Sequence, residues 1–557
     1  MSSDVMTPQP LTLSADAPWW QKAIAYLPKV LLGLALLAFV FYLAVYVVYA
    51  VRLFQFPFDY DQGEGFELMD TVLFSQGEWP YRDNDTYPFY SSNYPPLFHV
   101  VIVPLVWLFG PQYWTGRLVS FLGTLITAGA IGYGVHRAGK RWWLSTIAGL
   151  IFLASNYVYH VGPLFRQHMF MVMFETVAVV LMALTIDKEE REGRQYNGRL
   201  LIVMLLLLLA GYTKQLAYAT VAAVFIFWFI RQPKRAVMWA VPFAAVTGLV
   251  FFWIDWSTDG WWLVNTVTAN INPFIREQAV GLFRQWFTLH TVITLVALLF
   301  AAYQFYFERL SLYSVWFGLA LLNSITAGKW GAGESYFATA IAASCILTGI
   351  AFARVLNTVQ TRAWGESQRG FWVQTAVLAI IAILFLIQAD KLFHAPTDVA
   401  LFRSVATLLG KPTEVAIAPQ TSCSAPREPE TIYYVDSGGV SLLGRPPNQA
   451  DTAAGKEIAA FIAAHGETPA FAEDAGFNFY LDRAIITNPT QLLNLYNNNQ
   501  VDITEMVAML NAQAFDTVVL RAQFYPPPVL DAIGQQYETV ELVQMNGFVY
   551  CLMTPRE

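Results

Sequence analysis

The chain has 557 residues, 56% of them hydrophobic and 13% charged, with a formal net charge of −7. A soluble globular protein carries about 25% charged residues, so this composition belongs to a polytopic membrane protein. The acidic balance and the lack of any Lys/Arg-rich run exclude nucleic acid as a partner.

The first apolar run, 30–51, has the ~20-residue length that crosses a bilayer as a helix. No small-residue cleavage site follows it, so it reads as a retained anchor rather than a signal peptide. Similar runs recur at 112–136, 142–160, 168–186, 198–213, 215–230, 236–255, 286–307, 311–327, 336–355 and 371–389, which predicts about eleven spans. Lys and Arg favour cytoplasmic loops. Placing Lys22/Lys29, Arg137/Lys140/Arg141, Lys188/Arg191/Arg194/Arg199, Arg231/Lys234/Arg235 and Arg354/Arg362/Arg369 inside puts the N-terminus inside and the C-terminus outside.

Two runs need separate treatment. Leu97–Gly110 is apolar, but a crossing there would place Arg137–Arg141 outside. It is short, contains Pro104 and follows Pro95-Pro96, so it is expected to lie on or dip into the outer leaflet. The run 200–230 would be about 46 Å long as one helix at 1.5 Å per residue, too long for the hydrocarbon core. A break outside, at Gly211-Tyr212-Thr213-Lys214-Gln215, makes it two spans.

This topology gathers the unusual polar residues on one face. They are the acidic loop Phe58-Asp59-Tyr60-Asp61-Gln62-Gly63-Glu64-Gly65-Phe66-Glu67, the turn Asn93-Tyr94-Pro95-Pro96, Arg166/His168, Lys214, the stretch 256–274 and Gly328–Glu334. Ionisable residues near membrane segments are costly and usually functional. Asp61-Gln62-Gly63-Glu64 also fits a capping box, with Asp61 as N-cap and Glu64 at N3. Trp253, Trp256, Trp261 and Trp262 read as an interface belt.

From Asp390 the chain turns polar. Segments 469–474, 484–488, 516–521 and 547–553 read as strands, and 452–465, 501–514 and 527–536 as helices, which predicts a small α/β domain. The expected organisation is a cytoplasmic tail over 1–29, a membrane domain over 30–390 with its first extracytoplasmic loop at 52–111, and an extracytoplasmic domain over 391–557. Three cysteines form no disulfide framework. Cys345 lies in an apolar run, and the spacing of Cys423 and Cys551 in the tail does not by itself pair them.

Several motifs, taken in order, resemble the GT-C glycosyltransferases over about residues 30–390. They are the acidic motif after the first span, the Asn-Tyr-Pro-Pro-Leu turn, Arg117 in the second span, the basic Arg166-Gln167-His168, and the late loop Gly331-Ala332-Gly333-Glu334-Ser335-Tyr336. The likeness is to the bacterial branch related to protein mannosyltransferases and lipid A aminoarabinose transferases. It implies a polytopic GT-C-like fold with juxtamembrane helices, at the cytoplasmic membrane, that takes a sugar from a polyprenyl-phosphate donor on the outer face. The acceptor would be a lipid, a glycan or a protein.

Carried over residue by residue, the resemblance makes Glu64 the first candidate for the catalytic acid and Asp61 the second, because Gly63 stands where the family shows an acid. Lys214 falls at the family's basic phosphate contact. Arg166, His168, Tyr94, Arg117 and Glu334 are further candidates for substrate binding. Arg166-Gln167-His168 lacks the acid of the family's Arg-x-Asp, so no metal ligand is assigned and a divalent metal is left open.

The chemistry needs few groups. A carboxylate takes the acceptor's proton, and fixed cations stabilise the charge growing on the departing phosphate. One displacement inverts the anomeric carbon, unlike a two-step hydrolase. A flippase or transporter of lipid-linked glycans is the alternative, but such proteins tend to show internal repeats, and none is visible. The third reading, a membrane anchor for the C-terminal domain, has no need of Lys214 and Arg166 beside the acids.

Overall fold

The computed structural model describes residues 18–361, 368–396, 398–411, 446–521, 524–546 and 548–557. Arg362 and Cys423 lie outside these residues. The first half comprises α1 (Trp19–Gln55), α2 (Glu64–Ser75), α3 (Leu97–Phe109), α4 (Tyr113–Gly139), α5 (Trp142–Ala154), the single turn α6 (Asn156–Tyr159), α7 (His168–Glu192), α8 (Asn197–Thr213) and α9 (Tyr218–Arg231). It continues with α10 (Pro233–Ser257), α11 (Trp261–Thr266), α12 (Arg276–Leu289), α13 (Thr291–Phe307), α14 (Leu312–Ser324), α15 (Ala338–Thr361), α16 (Gln368–Lys391) and α17 (Ala400–Leu408).

Each of the expected apolar runs is helical, but 142–160 divides between α5 and α6 and 286–307 between α12 and α13. Six helices are long and apolar enough to cross a membrane alone: Trp19–Gln55, Tyr113–Gly139, His168–Glu192, Pro233–Ser257, Glu334–Thr361 and Gln368–Lys391. A seventh crossing exists if α12 and α13, bent by 93°, act as one span. The others are short. At 13 residues, α3 is about 20 Å long, less than the ~30 Å hydrocarbon core. Exposed Val237, Met238, Val241, Leu249 and Phe252 make α10 an apolar surface suited to lipid.

The run 200–230 does break in two. Lys214 leaves the helix in an extended conformation (φ −156°, ψ 139°). At the far end of this hairpin, Arg235 in the first turn of α10 bonds both Glu189 and Asn197, so the end of α7 and the start of α8 meet the chain just after α9. The other basic loops gather at the same end. Arg231 meets Glu190 and the carbonyl of Leu310, Arg354 meets Glu308, and Arg141 meets Asn357. The acidic loop, Arg166 and Lys214 sit at the opposite end of these helices.

The tail forms a four-stranded sheet in the order β1-β2-β4-β3, from Phe471–Ala472, Val518–Leu520, Tyr537–Met545 and Phe548–Pro555. β1 pairs parallel with β2, and the other pairs are antiparallel. One expected strand is absent here and one observed strand was not expected. Segment 484–488 makes no strand, only a single bridge from Thr487 to Phe89. β3 was not expected because its residues 538–542 are all exposed, so no apolar/polar alternation marks it.

The tail is packed onto the end of the helical part that carries the acidic loop. Phe58 packs its ring against those of Phe477 and Tyr480. Asn488 donates to the carbonyl of Ser91, and Gln491 to Asn265. Asp59 accepts from the backbone N–H of Gly476 (2.7 Å). Ile458 and Val543 belong to the same contiguous core as Tyr49 and Ile151.

Candidate functional site

Glu64 and Arg117 form a buried clamp. Glu64 is fully buried, and both its oxygens are occupied. One accepts from Arg117 Nε (2.9 Å) and the N–H of Phe165 (2.7 Å). The other accepts from Arg117 Nη2 (2.7 Å) and the N–H groups of Tyr60 and Asp61. Arg117 spends its remaining donors on the carbonyls of Leu53, Phe56 and Phe58. All five guanidinium N–H groups are used, so none is left for a phosphate. The pair ties the end of α1 to the starts of α2 and α4. The capping box forms only by half. Glu64 reaches back to the N–H of Asp61, but α2 begins after Gly63 without a side-chain cap.

Asp61 instead turns outward to Arg166. Arg166 Nε and Nη2 both meet Asp61 Oδ2 at 2.6 Å, and Nη1 meets Glu67 Oε1 at 3.2 Å. The side chains of Asp61 and Arg166 are 32% and 24% exposed, so this group reaches solvent, as Glu64 does not. Among the described residues, no donor meets Asp61 Oδ1. Burial pushes Asp61 up, but the Arg166 charge outweighs it and holds the carboxyl below the usual carboxylate range. Burial dominates at Glu67, which rises to about 7 against the pull of Arg166 and Lys214.

Lys214 lies nearby, largely buried, with its ammonium 5.0 Å from the ring of Tyr94 and 5.4 Å from that of Tyr336. Among the described residues, no carboxylate lies within ion-pair reach of it. Burial first, then the Arg166 charge, bring it down to about 8. His160 pairs through Nε2 with Glu334, and its Nδ1 meets the carbonyl of Asn156. His168 is buried and packs its ring 5.8 Å from Tyr336. The structure therefore brings Asp61, Arg166, Lys214, Tyr94, Glu334 and His168 together, and keeps Glu64 and Arg117 in the scaffold below.

Sequence reasoning did not single out His160 or the tail's Arg521, quoted Tyr336 only within the late loop, and took Glu67 for part of a solvated face, whereas it is buried. Arg521 pairs with Asp474, which also accepts from Tyr550, and its charge reaches Asp61. No local motif marks Arg521, and only the docking of the tail brings it here. His160 sat unremarked at the end of an apolar run, where a lone imidazole is most often structural. The tryptophan belt also divides. Trp253 and Trp256 are exposed, whereas Trp262 is buried against Tyr81.

No family model matches the chain, and no curated protein matches it. Solved structures do. ArnT from Cupriavidus metallidurans, bound to undecaprenyl phosphate, matches with a TM-score of 0.53 at 15% identity, over 92% of this chain and 97% of that one. The oligosaccharyltransferase of Archaeoglobus fulgidus in the apo form matches with a TM-score of 0.51 at 11% identity, over 90% of this chain and 70% of that one. The chain shares the overall fold of these two structures. At such identities the likeness carries the fold alone, and the roles of individual residues rest on the geometry of the site.

Proposed function

We propose that the chain is a membrane glycosyltransferase that moves a hexosyl or pentosyl group from a polyprenyl phosphate to a lipid, glycan or protein acceptor. The observation that carries this reading is Lys214, a largely buried lysine held between two tyrosines, with no carboxylate partner among the described residues and beside a second cation, Arg166. Such a pair of cations next to a solvent-reaching carboxylate is built for an anion and a proton acceptor together. The undecaprenyl phosphate bound in the ArnT structure is an anion of this kind.

In this reading Asp61 is the base, and Glu64 is the scaffold that holds it. The acceptor hydroxyl or amine gives its proton to Asp61 Oδ1 as it attacks the anomeric carbon. The bond from that carbon to the phosphate oxygen breaks on the opposite face, and the configuration inverts. Lys214 and Arg166 receive the charge that collects on the phosphate. Tyr94 and Tyr336 wall the lysine from water, His160 and Glu334 line the far side, and His168 supports Tyr336. The tail forms an extracytoplasmic α/β domain that closes the site with Arg521. The enzyme lies in the cytoplasmic membrane with eleven crossings, its N-terminus inside and the tail outside.

The test is incubation of the purified protein with a panel of radiolabelled polyprenyl-phosphate sugars, scoring release of free lipid phosphate. Turnover of one donor that Asp61→Asn abolishes supports the reading. Consumption of none, with movement of the intact lipid across vesicles, establishes the flippase reading instead.

A further inference from the structure

A second polar cluster lies behind the site, between α2 and α3. Glu67, Asp70 and His99 are all buried, and each offers a ligand atom within 4.8 Å of the other two. The proton of His99 is fixed by its neighbours. Its Nδ1 faces the carbonyl of Glu67 at 3.1 Å and the hydroxyl of Thr71 at 3.2 Å. That hydroxyl already donates to the same carbonyl (2.9 Å). Nδ1 therefore carries the hydrogen, and Nε2 presents a bare lone pair.

This lone pair points at two carboxylates. Nε2 is 3.3 Å from Glu67 Oε2 and 3.7 Å from Asp70 Oδ2, and it is buried with no hydrogen-bond partner. Three electron-rich atoms thus face one another in a dry place, which a cation between them resolves. Zinc bonds of about 2.0–2.2 Å give a tetrahedron with edges of roughly 3.3–3.6 Å, close to the two distances from the imidazole. The outer contacts are those of a metal site. Asp70 is held by Ser92 (2.5 Å) and Tyr90 (2.8 Å), and the imidazole by a backbone carbonyl.

We infer that Glu67, Asp70 and His99 bind one divalent transition ion, Zn²⁺ by preference, and leave its fourth position to water. The other oxygen of Glu67 touches Arg166, so the ion anchors from behind the carboxylate that positions this arginine. The site does not depend on what the protein transfers, because its readout is metal content rather than turnover.

The full-length protein in detergent is stripped with chelator, offered Zn²⁺ alone, washed and counted for metal by mass spectrometry. About one zinc per chain is expected, with a higher melting temperature than the stripped protein. In folded His99→Gln or Asp70→Asn protein, affinity should fall 10–100-fold. X-ray absorption at the zinc edge of the unsubstituted protein should show one imidazole and otherwise oxygen ligands. No retained zinc and an unchanged melting temperature overturn the inference. So do a zinc shell with two or more imidazoles or with sulfur, and retention undiminished in both variants.

Discussion

The guanidinium of Arg166 lies over Gly63, in the space that a Cβ at that position would occupy. This accounts for the glycine at position 63. Arg166 needs the bare backbone to reach Asp61 and Glu67 at once. Gly63→Ala should push Arg166 aside and cut turnover at limiting donor about as far as Arg166→Ala does. The double variant should be no worse than either single one, since both remove one interaction. Additive losses in the donor assay would separate the two residues.

Asp61 and Glu64 should part cleanly on substitution. Asp61→Asn should lower transfer roughly 10²–10⁴-fold, the usual cost of losing a general base, with a melting temperature close to the parent's. Glu64→Gln leaves the Arg117 charge buried without its partner, which costs about 3–5 kcal/mol. It should therefore lower the melting temperature sharply. Transfer and thermal unfolding measured on both proteins decide this, and a stable, inactive Glu64→Gln would restore Glu64 as the base.

Lys214 should give the reaction its alkaline limit. Its cationic form dominates below about 8 and is lost as pH rises through that value. Donor affinity should be level below this point and fall above it, up to about ten-fold per pH unit. Lys214→Arg should flatten the fall, because a guanidinium stays charged. Lys214→Ala should weaken donor binding at all pH values. Binding of the lipid donor measured across pH 6–10 checks both outcomes.

The docking of the tail depends on a close approach at Gly476. A Cβ there would stand 2.5 Å from Asp59 Oδ2 and 2.9 Å from the hydroxyl of Tyr113. Gly476→Ala should cost about 1–3 kcal/mol, the range for overpacking, and loosen the tail. Limited proteolysis should then cut it from the helical part faster than in the parent.

Orientation can be read by labelling. Residues 137 and 541 are both exposed, one in the basic last turn of α4 and the other in β3. A cysteine at 541 should react with an impermeant reagent on intact cells, and one at 137 should not.

The sequence by itself determined the helices and the end of the bundle at which the polar residues meet. Hydropathy and the distribution of Lys and Arg are local properties of the chain, and the membrane imposes them segment by segment. The break at Lys214 was legible for that reason, since one helix through 200–230 is too long and would split its basic flanks. The roles of the acids were not legible. Asp61 and Glu64 are three residues apart and alike in local sequence. Only the approach of Arg117 from α4 and of Arg166 from the loop before α7 makes one a buried clamp and the other a solvent-reaching carboxylate. Arg521, His160 and the lone pair of His99 owe their places to contacts across many residues of chain. Ionisation depends on burial and on which charge lies near, and both exist only once the helices and the tail have packed.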